Sequence, residues 1–284
     1  MVSANPPPTP PASGRGVRKA LAEAAARFVF SETARLDAEL LMAHALGVSR
    51  EALLLRHLDD PPPAGFAALV ARRAAHEPIA YITGTRAFWT IDLGVGPGVL
   101  IPRADSETLI EAAVDHFGGR APTRILDLGT GPGTLLLAAL AQWPEAQGLG
   151  IDTSERAWQF FEENVAALEM DDRARFKFGD WAADTQGAFD LILANPPYIA
   201  TTDVLPPEVS EYEPAAALFA GPDGLDAYRV IAPQLPALLA PGGVAILEIG
   251  ATQSEAVTAL LAAQGLTVAL RHDLAGRPRA LIAA

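Results

Sequence analysis

The sequence predicts an α/β fold: a mostly parallel sheet with helices on both faces, preceded by a small helical module. Three observations carry this. Residues 123–284 alternate strand-like apolar runs with segments of helical period. A glycine-rich turn, Gly129 to Gly133, follows the first of those runs. A later run, Phe189 to Ala194, stops hard at Asn195-Pro196-Pro197-Tyr198, because proline has no N–H and a fixed φ. The C-terminal edge of such a sheet is where open α/β folds bind ligands.

Bulk properties narrow the classes. The chain has 284 residues, enough for one large domain or two smaller ones. Apolar runs of about 18 residues are absent, which points to a soluble rather than a membrane-spanning protein. The absence of cysteine excludes disulfides, thiolate zinc sites and cysteine nucleophiles. The Pro/Ser/Ala-rich start lacks the apolar core of a secretory leader, so a cytoplasmic location is the expectation. A net charge of −13 argues against broad binding to nucleic-acid phosphates.

In chain order, residues 1–15 read as a disordered Pro-rich tail. Residues 16–77 read as a helical module. Val17 to Phe28 and Ala34 to Leu46 have helical spacing, with Leu36, Leu40, Leu41 and Ala45 on one face and Gly47 as a stop. Ser49 is placed to cap a third helix reaching about His57, and Phe66 to His76 reads as a fourth. His44, His57 and His76 do not form a metal-ligand cluster. Residues 78–99 read as a β-hairpin connector around Thr83-Gly84-Thr85, with Ile79, Tyr81, Phe88, Trp89, Ile91 and Leu93 on its strands.

Residues 100–284 form the α/β domain. A short extended piece ends at Pro102, and a helix starts near Asp105 or Ser106, either of which suits the N-cap, and runs to about Phe117. Arg103 and Glu107 lie at its mouth, where a salt bridge is the plain structural reading. Strands are expected at Arg124–Leu128, Gly148–Ile151, Ala174–Phe178, Asp190–Ala194, Val244–Ile249, Leu266–Leu270 and near Arg279–Ile282. Helices are expected at Leu135–Gln142, Glu155–Leu168, Gly224–Leu239 and Gln253–Ala263.

Four constellations carry chemistry. Asp127-Leu128-Gly129-Thr130-Gly131-Pro132-Gly133 departs from the dinucleotide fingerprint, whose third glycine position holds Thr134, and lacks the Lys-Ser/Thr of a P-loop. Its acidic Asp127 suits a ligand with a cationic amino group, and D-x-G-x-G-x-G is the arrangement of S-adenosyl-L-methionine-dependent methyltransferases. Asp152, about 20 residues on, either accepts from both ribose hydroxyls or caps the next helix, a task Thr153 or Ser154 could take instead. Trp181 either lies on an adenine face or packs structurally. In Asn195-Pro196-Pro197-Tyr198, the Asn195 side-chain oxygen and the Pro196 carbonyl could accept the two N–H groups of a primary amide, and Tyr198 could pack on it. An amide nitrogen is a poor nucleophile, so the work is positioning and desolvation, with no metal needed.

Together these residues resemble the HemK/PrmC family, the protein-(glutamine-N5) methyltransferases that modify peptide chain release factors. Asn195-Pro196-Pro197-Tyr198 matches the amino-methyltransferase signature shared with some DNA adenine methyltransferases. Narrower marks lie elsewhere: Leu100-Ile101-Pro102-Arg103 with Glu107, Glu208-Val209, Glu211-Tyr212-Glu213-Pro214, Asp223-Gly224-Leu225, Glu248-Ile249-Gly250 with Gln253, and Tyr81-Ile82-Thr83-Gly84. The resemblance covers about residues 34–284. It implies a seven-stranded class I methyltransferase sheet whose last strand is antiparallel, and an N-terminal helical domain that helps hold the release factor. It puts S-adenosyl-L-methionine, with S-adenosyl-L-homocysteine as product, among Gly129 to Gly133, Asp152, Trp181 and Asn195. Asp127, Arg103 and Glu107 are counted with that cofactor set. Asn195, Pro196, Pro197 and Tyr198 would hold the glutamine of the Gly-Gly-Gln loop. Three departures stand out: Pro132 removes an N–H from the glycine loop, Ala104-Asp105-Ser106 replaces Pro-Glu-Thr, and the Pro-rich tail has no counterpart. Rival readings are methylation of a ribosomal-protein glutamine, a non-catalytic S-adenosylmethionine-binding scaffold and, less well matched to the acidic balance, DNA adenine methylation.

Overall fold

A computed structural model describes residues 16–284; the tail expected over residues 1–15 lies outside the described residues. The chain forms two compact units, Met1–Thr83 and Gly84–Ala284. Among the described residues, no helix is long and apolar enough to cross a membrane.

In the first unit, helices span Val17–Ala25, Ala34–Leu46, Arg50–Arg56, Phe66–Ala74 and Ile79–Thr83. Gly47 ends the second with φ +65°, a conformation that suits glycine because it has no Cβ. Ser49 caps the third, its hydroxyl accepting from the Ala52 N–H at 3.1 Å. Leu21, Phe28, Leu41, Met42 and Leu53 are fully buried in one core. The stripe expected on the second helix is rotated: Leu36 is exposed, while Asp37 and Glu39 are buried. Arginines make this tolerable, since a buried charge needs a partner. Arg73 donates to Asp37 at 2.9 Å, and Arg35 and Arg50 both donate to Glu39.

The stretch from Ile79, expected as strand, is helical. Pro78 presets a helical φ, and its carbonyl accepts from the Tyr81 and Ile82 N–H groups. The hairpin lies later, β1 (Thr85–Phe88) against β2 (Ile91–Gly94), with Phe88 opposite Ile91. Its turn is therefore Trp89-Thr90, not Thr83-Gly84-Thr85. Trp89 takes a φ of +54°, held by its N–H to Glu107 Oε1 at 2.9 Å and its indole N–H to Gln142 Oε1 at 3.2 Å.

The second unit is built on a seven-stranded sheet of β3 (Arg124–Leu128), β4 (Gln147–Asp152), β5 (Ala174–Phe178), β6 (Phe189–Ala194), β7 (Leu239–Glu248), β8 (Val268–His272) and β9 (Pro278–Ala283). Their spatial order is β5-β4-β3-β6-β7-β9-β8. The first five are parallel, and β9 runs antiparallel to both β7 and β8, as the resemblance implied. Side chains alternate across a strand. Leu126, Leu128, Ile192, Ala194, Ala245 and Leu247 face a core with Tyr228, Ile231 and Leu261. Ile125, Leu191, Leu193, Val244 and Ile246, on the other face, are equally buried, beneath the helices Glu107–Phe117 and Thr134–Gln142. The continuous helix expected over Gly224–Leu239 is broken into Asp226–Ile231, a 3-10 turn at Ala232–Gln234 and Leu235–Leu238, because Pro233 and Pro236 supply no N–H.

This order creates the site. From β3 the chain moves outward to β4 and β5, then returns to place β6 on the other side of β3. Leu128 and Ala194 are register partners, so the glycine turn and Asn195 leave neighbouring strand ends. The crevice at such a switch point is where α/β sheets take ligands.

Candidate active site

The glycine turn is held from below and from the side. Gly129, Gly131 and Gly133 have φ of +72°, +55° and +92°, conformations disfavoured for residues with a Cβ. Asp127 is buried, and its Oδ2 accepts from Thr130 Oγ1 at 2.7 Å and from the Leu136 N–H at 3.2 Å. It ties the turn to the helix that follows. Its Oδ1 has no partner, and burial pushes its carboxyl up to about 7, against the hydrogen bonds from Thr130 and Leu136. Asp152 clamps the turn from the next strand: Oδ2 accepts from the Gly131 N–H at 2.9 Å and Oδ1 from the Ser154 N–H at 2.9 Å. It is not the helix cap. Ser154 is, accepting from the Ala157 N–H at 3.1 Å.

Above this turn lies a cavity of ≈ 210 Å³ lined by Gly129, Gly131, Ile151, Asp152, Trp181 and Asn195, among others. The Trp181 ring lies over the turn, since a Cβ on Gly129 would come within 3.2 Å of it. A second cavity of ≈ 170 Å³ is lined by Arg103, Pro196, Tyr198, Val209 and Glu248. Asn195 lines both. Its Nδ2 donates to Ser106 Oγ at 3.2 Å, which leaves the carboxamide oxygen available as an acceptor. No backbone N–H among the described residues donates to the Pro196 or Pro197 carbonyl. The Tyr198 hydroxyl donates to Glu248 Oε1 at 3.3 Å, and its carbonyl accepts from Gln253 Nε2 at 2.9 Å. Burial and the Glu248 charge push the Tyr198 phenol up to about 12.

The predicted residues divide. Gly129, Gly131, Asp152, Trp181, Asn195 and Pro197 border the first cavity; Pro196 and Tyr198 border the second. Arg103 lies on the second cavity rather than on the first, and its partner is Glu213 at 2.5 Å, not Glu107. Glu107 borders neither and instead holds the Trp89 N–H. Asp127, Thr130, Pro132 and Gly133 are buried and border neither cavity, with the Pro132 carbonyl held by Asn164 Nδ2 at 2.9 Å. Neither Asp105 nor Ser106 caps its helix: Asp105 accepts from Arg279, and Ser106 from Asn195. Three residues were missed as members of the site. Glu213 accepts from Arg103 and from the Ile101 N–H at 3.0 Å. Glu248 and Ser106 lie behind Tyr198 and Asn195. Glu213 and Glu248 stood in quoted motifs, but nothing local marks them as facing the site.

Comparison with known proteins agrees with this geometry. Residues 19–84 match the model of the PrmC N-terminal domain, and residues 103–211 that of the methyltransferase small domain. The release factor glutamine methyltransferase of Rhodospirillum rubrum is 46% identical over 258 residues, covering 89% of this chain and 79% of that protein. This chain belongs to the release factor glutamine methyltransferase family. The Caulobacter vibrioides member is 42% identical, over 87% of this chain and 88% of that one. A methyltransferase from Pyrococcus furiosus has the same fold, with a TM-score of 0.51 at 17% identity over 75% of this chain and 95% of its own. Family membership makes the chain a methyltransferase, and its sheet is the class I α/β sheet of that fold.

Proposed function

We propose that this chain transfers a methyl group from S-adenosyl-L-methionine to the side-chain amide nitrogen of the glutamine in the Gly-Gly-Gln loop of a peptide chain release factor. The observation that carries the reading is that Asn195 borders both cavities. One side chain thus touches the space for a donor and the space for an acceptor.

The first cavity suits the donor. Its floor is a glycine turn that a Cβ at Gly129 would crowd, so the backbone admits close approach. Asp152 uses two of its roughly four acceptor positions on the Gly131 and Ser154 N–H groups, and a carboxylate has the rest for a ribose diol. Trp181 offers an aromatic face. When bound, the donor supplies a methyl already activated by its sulfonium, and the protein contributes position. The Asn195 oxygen and the Pro196 carbonyl accept the two N–H groups of the substrate amide and fix its nitrogen toward the first cavity. Tyr198 covers the amide and excludes water, which strengthens both hydrogen bonds. As the new N–C bond forms, one of these N–H bonds breaks and its proton passes by way of the oxygen that accepted it to solvent, with S-adenosyl-L-homocysteine as the other product.

The helical unit is read as the part that helps hold the release factor, and a cytoplasmic site of action belongs to the same reading. The test is incubation with labelled S-adenosylmethionine and the cognate release factor, with the modified residue located by mass spectrometry. One labelled glutamine in the Gly-Gly-Gln loop is expected. Label on a ribosomal protein or on DNA adenine instead, or no binding of the donor, overturns the reading.

A further inference from the structure

The end of β7 carries an unexplained group. Leu247 is the register partner of Ala194, so Glu248 lies beside Asn195 as the two parallel strands end. Its side chain is 1% exposed, and Oε2 has no hydrogen-bond partner. The nearest cation, Arg279, is 3.9 Å away and is also engaged by Asp273 and Asp105. A buried carboxylate so weakly paired is costly, and an apolar residue of similar size would stabilise the fold better. Stability therefore does not account for it. What it touches does.

We propose that Glu248 is a positioning residue that sets the hydrogen-bond direction of the Tyr198 hydroxyl on the substrate side of the site. This deepens the proposed glutamine site and rests on it for the identity of the substrate. Above about pH 7, where its carboxyl is ionised, Glu248 only accepts. Tyr198 therefore donates to it, at 3.3 Å, and cannot swing its hydroxyl elsewhere without leaving a charge unpaired. Beside it, the Ser106 hydroxyl accepts from Asn195 Nδ2 at 3.2 Å. The Asn195 amide is then locked with nitrogen toward Ser106 and oxygen toward the substrate, the only orientation that can accept an amide N–H. A glutamine at 248 can donate as well as accept, and the direction is lost. Burial of Glu248 pushes its carboxyl up to about 7 despite Ser106, Arg279 and Tyr198, with Asp105 adding to the rise; Tyr228, whose hydroxyl donates to the Glu248 carbonyl at 2.7 Å, faces it too.

The test uses the full chain and Glu248→Gln, with two readouts. The side-chain amide resonances of Asn195 and the ring resonances of Tyr198 are followed by NMR, and transfer to the release factor is followed kinetically. The Tyr198 resonances should move in Glu248→Gln, and those of Asn195 in Ser106→Ala. kcat should fall about a hundredfold, as for a misplaced reacting group, with donor affinity unchanged within about twofold. Resonances that stay in place, or wild-type kcat, overturn the proposal. So does a fall in donor affinity matching the fall in kcat, which marks a merely structural role. If Glu248→Gln does not fold, the kcat of Tyr198→Phe, which removes the hydroxyl that Glu248 directs, decides: a comparable fall is expected, and a wild-type value overturns the proposal. Moving resonances in a chain whose wild type labels no release factor would sink the substrate and leave the positioning role. Label with unmoved resonances would do the reverse.

Discussion

The floor of the first cavity is the ends of successive strands, Gly129 and Gly131, Asp152 to Ser154 and Gly179 to Trp181, whereas residues from five segments, 100–103, 195–199, 205–209, 217–218 and 248, line the second. In the first, the hydrogen bonds that hold the glycine turn span 3, 9 and 21 residues: Thr130 to Asp127, Leu136 to Asp127, Gly131 to Asp152. In the second, Asn195 reaches Ser106, Tyr198 reaches Glu248, and Arg103 reaches Glu213. Each cavity nonetheless has one buried carboxylate with an unpartnered oxygen behind it, Asp127 for one and Glu248 for the other. The difference teaches where each function is vulnerable. On the proposed reading, holding the donor depends on local backbone conformation, and transfer depends on a side-chain network that only the complete sheet assembles.

Asn195→Ala breaks the comparison most severely if it is wrong. It should lower kcat about a thousandfold, the scale of losing one precisely aimed hydrogen-bonding group, with donor Kd nearly unchanged by calorimetry. A donor Kd that weakens in step would mean the two cavities are not separate in function. Next in size is a pH effect. Burial lifts Asp127 to about 7, so the folded chain keeps a proton that the unfolded chain releases near its ordinary value. This contribution to stability is complete below that value and is lost as pH rises to about 7, by roughly 4 kcal/mol for a shift of about three units. Asp127→Asn should flatten the fall in stability between about pH 4 and pH 7 by that order in chemical denaturation, and an unchanged slope would place the titration elsewhere.

Asp152→Ala should weaken donor binding by about 2 kcal/mol, roughly thirtyfold, and leave kcat at saturating donor within a few-fold. A kcat that drops as far as affinity would blur the division between the two walls. The smallest effect sharpens it. Gly131 has a φ of +55° and open space around its Cβ position, so Gly131→Ala should cost only the backbone term of about 1 kcal/mol, visible as a few-fold rise in donor Kd. Gly129→Ala, which also meets Trp181 at 3.2 Å, should exceed it; equal losses would remove Trp181 from the wall.

The contrast also explains what could be read in advance. The strands β3, β5 and β6 lie close to where apolar periodicity put them, because each is a short buried run bounded by turn residues. The glycine turn and Asn195-Pro196-Pro197-Tyr198 were legible for the same reason: their chemistry is written in consecutive residues. The hairpin was shifted by several residues, since Pro78 starts a helix in a stretch of strand-forming side chains, and the turn at Trp89-Thr90 is fixed by Glu107 and Gln142, far along the chain. Arg103 and Glu107 suggested a pair through mere nearness, yet Glu213 takes the arginine and Trp89 the glutamate.

By itself, then, the sequence determined the alternation of strands and helices, the turn that glycine alone relaxes into, and the strand that two prolines end. These follow from steric and hydrogen-bonding limits acting over a few residues. Only the tertiary structure decided that Leu128 and Ala194 end side by side, that Asp152 clamps Gly131 while Ser154 caps the helix, and that Glu248 lies behind Tyr198. Those pairings depend on strand order, and strand order is set by which buried faces pack together across the whole sheet.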